Sequence, residues 1–325
     1  MPERICDIII PSARRGELIH ILDEATLQRY WYLHVEDRSF YRVLVRPDQV
    51  EDLIDETERV FLGADPFQIV VSSVEAVVPV PEDDPDELNL GGRLSRHELL
   101  DDLAGAVRVD RIFCVTVVLS TIVAAIGLLK GSGAILVGAM VIAPLLGPNM
   151  LLAFGTTLGD SKLVLKALRA NGVGFLITFL TALPIGLAAE LDVEAPEVIA
   201  RTHVELLDVV LALASGVAGA LAYTTGISGA LVGVMVAVAI LPPAVCSSML
   251  LARGNFHDGL YAVLLVAINV VCVNLAAVGT FLFQGVRPRT WWAANRSKKA
   301  TRLAITFWVL ALSILIVLVI LSFDR

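Results

Sequence analysis

The chain has 325 residues, of which 56% are hydrophobic and only 18% are charged, and its mean hydropathy is +0.76. Soluble domains contain about 45–50% apolar and about 25% charged residues, so the composition excludes an ordinary soluble globule and indicates a membrane protein. The net charge of −8 comes mainly from residues 1 to 110, and no basic stripe with interleaved aromatic residues follows, so a nucleic-acid partner is not expected.

Residues 1 to 82 predict a small soluble α+β domain. Short β-type runs and amphipathic helices follow one another in the order βαββαβ, which is that of a ferredoxin-like fold. A domain of this size gains stability by pairing with another copy, so a homo-oligomer is expected. The N-terminus becomes charged too soon for a signal peptide. We predict strands at 6–11, 30–36, 40–47 and 67–80, helices at 15–25 and 50–63, and a hairpin turn at Asp37, Arg38 and Ser39.

Arg14 and Arg15 lie where the first strand passes into the first helix. Two guanidinium groups beside a helix N-terminus can hold an anion such as a phosphate, which makes this turn a candidate regulatory ligand site. The alternative is an ordinary solvated loop.

Residues 83 to 110 predict an acidic linker and then an amphipathic helix at the membrane surface. The stretch from 81 to 93 is acidic and contains several Pro and Gly residues, which is typical of a linker. Ser95 can cap the following helix, and Glu98, three residues later, completes a capping box.

Residues 111 to 325 contain seven apolar segments, each long enough to cross about 30 Å of hydrocarbon. Basic residues lie between segments 2 and 3 and between segments 6 and 7, whereas the loop between segments 3 and 4 is acidic. The distribution predicts a cytoplasmic N-terminus and a C-terminus outside, in the cell inner (plasma) membrane. The segments are expected at 111–129, 133–157, 168–189, 206–224, 228–251, 260–283 and 303–323.

An apolar sequence with two prolines occurs twice, 95 residues apart, as GAMVIAPLLGPNM at 138–150 and as GVMVAVAILPPAV at 233–245. The same offset pairs Gly159 with Gly254 and Asp160 with Asn255. Segments 1 to 3 (111–189) and 4 to 6 (206–284) therefore form two halves, and the helix at 303–323 is additional. Because three crossings is an odd number, the halves enter the bilayer from opposite sides, which predicts a 3+3 inverted repeat.

The prolines predict a broken helix in each half. Proline removes a backbone donor and clashes with the preceding turn. The backbone groups set free at such breaks commonly line a transport or ion pathway. The alternative is a pair of proline kinks whose polar groups are satisfied by neighbouring helices. The predicted pathway residues are Pro144, Gly147, Pro148, Asn149, Pro242, Pro243 and Ser247, with Asn269 secondary.

Two further asparagines, Asn171 and Asn274, lie at predicted membrane depth, where a buried amide can equally well bond one helix to another. Asn269 and Asn274 are five residues apart, and therefore about 140° apart around a helix, so we expect them to face different neighbours.

Several kinds of chemistry are disfavoured. No Asp, Glu, Lys, Arg or His falls in the middle of a predicted span, which disfavours a proton relay. The sequence lacks GxSxG, HExxH, Walker and GxGxxG motifs, so we expect no enzyme, no catalytic residue and no cofactor. The four cysteines have no metal-ligand spacing, so no metal site is expected.

The stretch LSTIVAAIGLLKGSGAILVGAMVIAPLLGPNM at 119–150, preceded by SRHELLDDLAGAV at 95–107, resembles the bacterial and archaeal membrane family named domain of unknown function 389. The likeness covers about residues 95–285 and implies no activity, catalytic residue or cofactor. The βαββαβ region looks similar to ACT-type regulatory domains. That likeness implies pairing and the binding of a small metabolite at the interface.

The sequence therefore predicts a multi-pass membrane transporter or channel for a small solute or ion, with a ligand-responsive cytoplasmic domain. The alternative is a non-conducting membrane sensor or scaffold that relays a cytoplasmic ligand signal to a partner. The substrate's charge, and the choice between channel and transporter, are left open by the residues.

Overall fold

A computed structural model gives the fold of residues 3–27, 29–74, 94–225 and 229–286, together with 306, 308, 310 and 312–314. The chain divides into two compact units, Met1–Asp101 and Asp102–Arg325. Four predicted features lie wholly or mostly outside the described residues. These are the linker at 81–93, the end of the last strand at 75–80, the basic loop after segment 6 and the seventh segment.

The N-terminal unit contains a four-stranded antiparallel sheet and two helices in the predicted order βαββαβ. The strand order β2-β3-β1-β4 places the first and third strands in the centre, as in a ferredoxin-like split βαβ fold. The predicted order is thus confirmed, whereas the likeness to ACT domains stays a prediction. The elements are β1 Arg4–Pro11, α1 Arg15–Glu24, β2 Tyr30–Val35, β3 Arg38–Val45, α2 Pro47–Phe61 and β4 Gln68–Ser73.

Alternation along the central strands builds the core of this unit. Cys6, Ile8 and Ile10 of β1 are fully buried, and the residues between them are partly exposed, because successive side chains of a strand point to opposite faces. Helices α1 and α2 contribute to the same core with apolar side chains from one side of each helix. These are Leu18, Ile21, Leu22, Val50, Leu53, Ile54 and Phe61.

The hairpin turn lies earlier than predicted. Strand β2 ends at Val35 and β3 begins at Arg38, so the turn residues are Glu36 and Asp37. Glu36 has a positive φ of 49°, which a tight two-residue turn requires. The prediction of a turn at Asp37, Arg38 and Ser39 was therefore wrong, because Ser39 is fully buried and continues the alternation of β3.

Helix α3, Arg96–Ala106, begins with the predicted capping box. The backbone N–H of Ser95 donates to Glu98 Oε2 at 3.0 Å, and the N–H of Glu98 donates to Ser95 Oγ at 3.3 Å. Arg96 is buried and pairs with Asp55 of α2 at 2.9 Å. These contacts fix the start of α3 within the N-terminal unit.

Cys6 is expected to resist alkylation in the folded protein. Burial, together with the nearby carboxylates of Glu98 and Asp7, raises the pKa of its thiol from 9.0 to about 12. Because the thiolate is the nucleophile, iodoacetamide should modify Cys6 only after unfolding, even at mildly alkaline pH. Peptide mapping before and after denaturation checks this, and native modification at the rate of a free thiol would contradict it.

The second unit is built from helices. Its long members pack on one another, with α10 against α7, α9 and α11, and α6 against α7 and α11. The helices after α3 are α4 Arg111–Leu129, α5 Gly133–Ile142, α6 Leu146–Leu158, α7 Ser161–Ala188, α8 Pro196–Thr202, α9 Leu206–Thr225, α10 Gly229–Ala252 and α11 Phe256–Phe283.

Four of these helices, α4, α7, α9 and α11, are long and apolar enough to cross a membrane. The bent pair α5 and α6 passes the same test as one span, which raises the number to five within the described residues. The described side chains of α10 form a shorter apolar stretch, Ile240–Ala252. Apolar helices of this length indicate a membrane protein. The total of seven spans stays a prediction.

Two helix junctions have the same geometry and are 95 residues apart. Gly159 follows α6 with φ +68°, and Gly254 follows the end of α10 with φ +81°. Asp160 and Asn255 then cap the next helix, each accepting a backbone N–H with its side chain. The capped helices α7 and α11 are both 28 residues long and start at 161 and 256. The 95-residue offset seen in the sequence therefore also separates the starts of α7 and α11.

Helices α9 and α11 approach closely at Gly216. A Cβ placed there would lie 2.4 Å from the backbone oxygen of Val273 and 2.9 Å from the Cβ of Ala276. Since real Cβ atoms do not come so near, only glycine allows this separation of the two helices.

Candidate functional site at the helix break

The first predicted break is confirmed. Helices α5 and α6 are separated by residues 143–145 and meet at an angle of 57°. Pro144 lies in the break, whereas Pro148 is the third residue of α6. The first N–H groups of a helix have no partner within it, so Pro148 removes no helical hydrogen bond. Pro144 is thus the residue that interrupts the helix.

The start of α6 is buried and tightly packed. Gly147 faces Ala106 at the end of α3, and a Cβ at position 147 would lie 3.2 Å from the backbone oxygen of Ala106. No side chain caps α6 at Leu145. Every residue of α6 from Leu146 to Thr157 is buried. The α6 side of the break therefore lies inside the protein, whereas Pro144 is half-buried.

Three asparagines from three helices form a chain of hydrogen bonds beside this break. Asn274 Nδ2 of α11 donates to Asn149 Oδ1 of α6 at 3.1 Å. Asn149 Nδ2 donates in turn to Asn171 Oδ1 of α7 at 3.2 Å and to the carbonyl oxygen of Leu145, in the break, at 2.8 Å. All three side chains are buried. We call Asn171, Asn149 and Asn274 the amide chain.

The two ends of the amide chain are open. Asn171 Nδ2 and Asn274 Oδ1 are buried and have no hydrogen-bond partner among the described residues. Asn274 Nδ2 also donates to the carbonyl of Val270, so its donors are used. Buried polar groups nearly always bind a protein group or a water. One end of the chain therefore offers a donor, and the other an acceptor, to a water or a small polar solute.

The second predicted break is absent, and that prediction was wrong. Helix α10 continues from Gly229 to Ala252 with Pro242 and Pro243 inside it. Each proline removes a single donor, and adjacent helices pack against α10 and support it. Ser247 and Ser248 both donate to the carbonyl of Ala244 at 2.8 Å, within their own helix. These contacts do not bring Ser247 to the amide chain.

The predicted pathway residues thus fall into two groups, one at the break and one within α10. Pro144, Gly147, Pro148 and Asn149 lie together at the break, whereas Pro242, Pro243 and Ser247 lie within α10. Asn269 is buried on α11, as is Asn274, but the contact with Asn149 is made by Asn274. The pattern of prolines did not select Asn171 and Asn274. The one sequence signal for Asn171 and Asn274 was that each is an asparagine within a predicted membrane span.

Arg14 in the N-terminal unit is already engaged by its own fold. Its guanidinium binds Glu17, donates to the carbonyl of Val60 at 3.1 Å and stacks 4.7 Å over the ring of Phe61. The pairing lowers the pKa of the Glu17 carboxyl. Arg15 is exposed at the first position of α1. The anion site predicted here stays a prediction and depends on Arg15.

Comparison with known proteins gives one family and one relative. Residues 140–275 match the family described as a domain of unknown function (DUF389), and this stretch contains the whole amide chain. An uncharacterised protein of Methanocaldococcus jannaschii is 30% identical over 282 residues, which cover 87% of this chain and 88% of that protein. No solved structure matches the chain.

Proposed function

The chain belongs to the DUF389 family, and we propose that it is a multi-pass membrane transporter or channel for a small solute or ion. The observation that carries the proposal is the amide chain at the broken span. Its two open ends provide a buried donor and a buried acceptor at a place where an apolar helix is interrupted. Interrupted helices with free polar groups at membrane depth are the usual construction of a transport site.

The proposed architecture is seven spans with an inverted 3+3 repeat, residues 111–189 and 206–284. The 95-residue offset between the starts of α7 and α11, and between their glycine and capping residues, supports it. An odd number of crossings in each half relates the halves by a pseudo-two-fold axis in the membrane plane. Among the described residues a break is found in the first half alone, so the proposed pathway is asymmetric.

The amide chain and the broken span themselves contain no ionisable side chain. Residues 133 to 158, which form α5, the break and α6, contain no Asp, Glu, Lys, Arg or His. A permeant species would therefore be held by amides, hydroxyls and backbone groups. A proton relay would need a titratable group, which this stretch does not provide.

We further propose a cytoplasmic N-terminus, a C-terminus outside, location in the cell inner (plasma) membrane, and regulation by a ligand of the N-terminal unit. Lys162, Lys166 and Arg169 near the start of α7 support the orientation, since basic residues favour the cytoplasmic side. The exposed Arg15 at the start of α1 supports an anionic ligand.

A non-conducting sensor or scaffold is the second candidate, and one observation favours it. The amide of Asn149 uses both N–H donors and its carbonyl oxygen within the protein and is fully buried. Such an amide can serve simply to hold α6, α7 and α11 together.

Flux measurements on purified protein in liposomes separate the two candidates. With a broad panel of ions and small polar solutes, we expect uptake that Asn171→Ala alters, because this change removes the open donor but keeps the bond between Asn149 and Asn274. Ser120→Ala is the matched control, since its buried hydroxyl bonds only the carbonyl of Val117 in its own helix. Absence of flux across the panel would favour the scaffold, and equal flux in both variants would remove the amide chain from the pathway.

A further inference from the structure

Strand β2 is an unprotected sheet edge. It pairs with β3 along one side, and no described strand pairs along the other. Its sequence, YWYLHV, contains no Lys, Arg, Asp, Glu or Pro, the residues that normally protect an edge from pairing. Trp31, Tyr32 and Leu33 are 60%, 62% and 60% exposed. An edge of this kind is expected to be covered in the working protein.

The backbone of β2 is ready for another strand. The carbonyl of Arg29 accepts the N–H of Leu44, so Arg29 turns its polar groups toward β3. Because this direction alternates along an antiparallel strand, Trp31, Leu33 and Val35 also face β3. Tyr30, Tyr32 and His34 consequently point their N–H and C=O groups outward, at three alternate positions.

We infer that β2 pairs antiparallel with β2 of a second copy of this chain, which joins two four-stranded sheets into one sheet of eight strands. The pairing is independent of the proposed transport.

The observations favour a second copy over a membrane surface. A lipid surface would cover the aromatic side chains but would leave the outward backbone groups of β2 without partners. Antiparallel pairing of β2 with itself satisfies those groups by symmetry and brings no charges together in the middle of the strand. Arg29, just before the strand, already binds Glu3 of the same chain at 2.6 and 2.9 Å, so the pairing rests on the backbone groups and side chains of β2 itself.

Symmetry restricts the register. A two-fold axis normal to the sheet keeps each side chain on the same face, so residues opposite each other must come from the same face. One residue of β2 must therefore lie directly opposite the same residue of the second copy. Centring on Leu33 sets Trp31 against Val35 of the second copy. This register pairs an aromatic side chain with a β-branched one on each side of the axis, a stabilising combination in sheets, and we therefore choose it.

Cysteine cross-linking of the full-length protein tests the pairing. In this register the two Leu33 Cα atoms form a non-hydrogen-bonded pair about 4.5 Å apart. That separation suits a disulfide, which requires about 4.4–6.8 Å. The two Val35 Cα atoms would be four residues out of register, about 14 Å apart. Val35 is exposed on the same face, so Val35→Cys is the matched control for Leu33→Cys.

Under mild oxidation in detergent, we expect Leu33→Cys to give a covalent dimer on a non-reducing gel, and Val35→Cys to match the background of the parent protein. Tyr32→Pro added to Leu33→Cys should reduce the cross-linked fraction several-fold, because it removes an outward N–H of the edge that the pairing requires and leaves the bonds to β3 in place. Equal cross-linking of both cysteine variants, cross-linking of Val35→Cys alone, or none in either variant would overturn the pairing. An unchanged yield with Tyr32→Pro would also overturn the pairing.

Discussion

Asn149→Ala is expected to lower the free energy of unfolding more than any other single change in the amide chain. The substitution removes three hydrogen bonds, to Leu145, Asn171 and Asn274. Side-chain hydrogen bonds between membrane helices contribute roughly 0.6–1.7 kcal/mol each, so the total loss is about 2–5 kcal/mol. The substitution also removes the side-chain amide bonds that link α6 to α7 and to α11. Among the described residues, no other side chain makes both links.

The sizes of the effects should follow the number of bonds lost. Asn274→Ala removes two bonds and Asn171→Ala removes one, so the order of destabilisation is Asn149, Asn274, Asn171. Thermal unfolding in detergent, followed by size-exclusion fluorescence, measures this order, with Ser120→Ala as the control that loses a bond within its own helix. If Asn149→Ala were no more destabilising than Ser120→Ala, the amide chain would not support the fold.

Gly216→Ala is expected to destabilise the contact between α9 and α11. The new Cβ would lie 2.4 Å from the backbone oxygen of Val273, and a backbone atom cannot move aside without moving its helix. Overpacking of this kind costs about 1–3 kcal/mol, and sometimes more. The same thermal assay measures the loss.

Gly279→Ala in α11 is the matched control for Gly216→Ala. A Cβ at position 279 meets open space, so this change keeps all contacts and improves helix propensity by up to about 1 kcal/mol. We expect Gly216→Ala to lower the stability clearly, and Gly279→Ala to leave it unchanged or raise it. Equal effects would mean that α9 and α11 are not in close contact at Gly216.

The sequence was most informative where the determinants of structure are local. The capping box of Ser95 and Glu98 depends on residues three positions apart, and it is present as predicted. The hairpin turn was misplaced because Arg38 and Ser39 have turn-like composition, whereas burial of Ser39 in the sheet decides its conformation.

Prolines alone do not determine whether a membrane helix breaks. Pro144 interrupts its helix, whereas the adjacent pair Pro242 and Pro243 lies within a continuous one. The difference depends on how neighbouring helices and hydroxyl groups support the backbone, which is a tertiary property.

The amide chain illustrates the same limit for the site. Asn149 was selected because it follows a proline, but its partners are 22 and 125 residues away in the sequence. Such distances carry no periodic signal, and three asparagines in a long apolar region can each be explained as separate helix contacts. Only the packing of α6 against α7 and α11 brings them together.

The bond between Asn149 and Asn274 also constrains how the protein is made. The two residues are separated by 125 positions, which ribosomes translate in about 6–25 s. During that interval α6 would already occupy the bilayer with its amide only partly satisfied, by Leu145 and then by Asn171. Asn149 can therefore bond Asn171 well before α11 is made, and the hydrogen bonding of its side chain is completed only when α11 packs against α6.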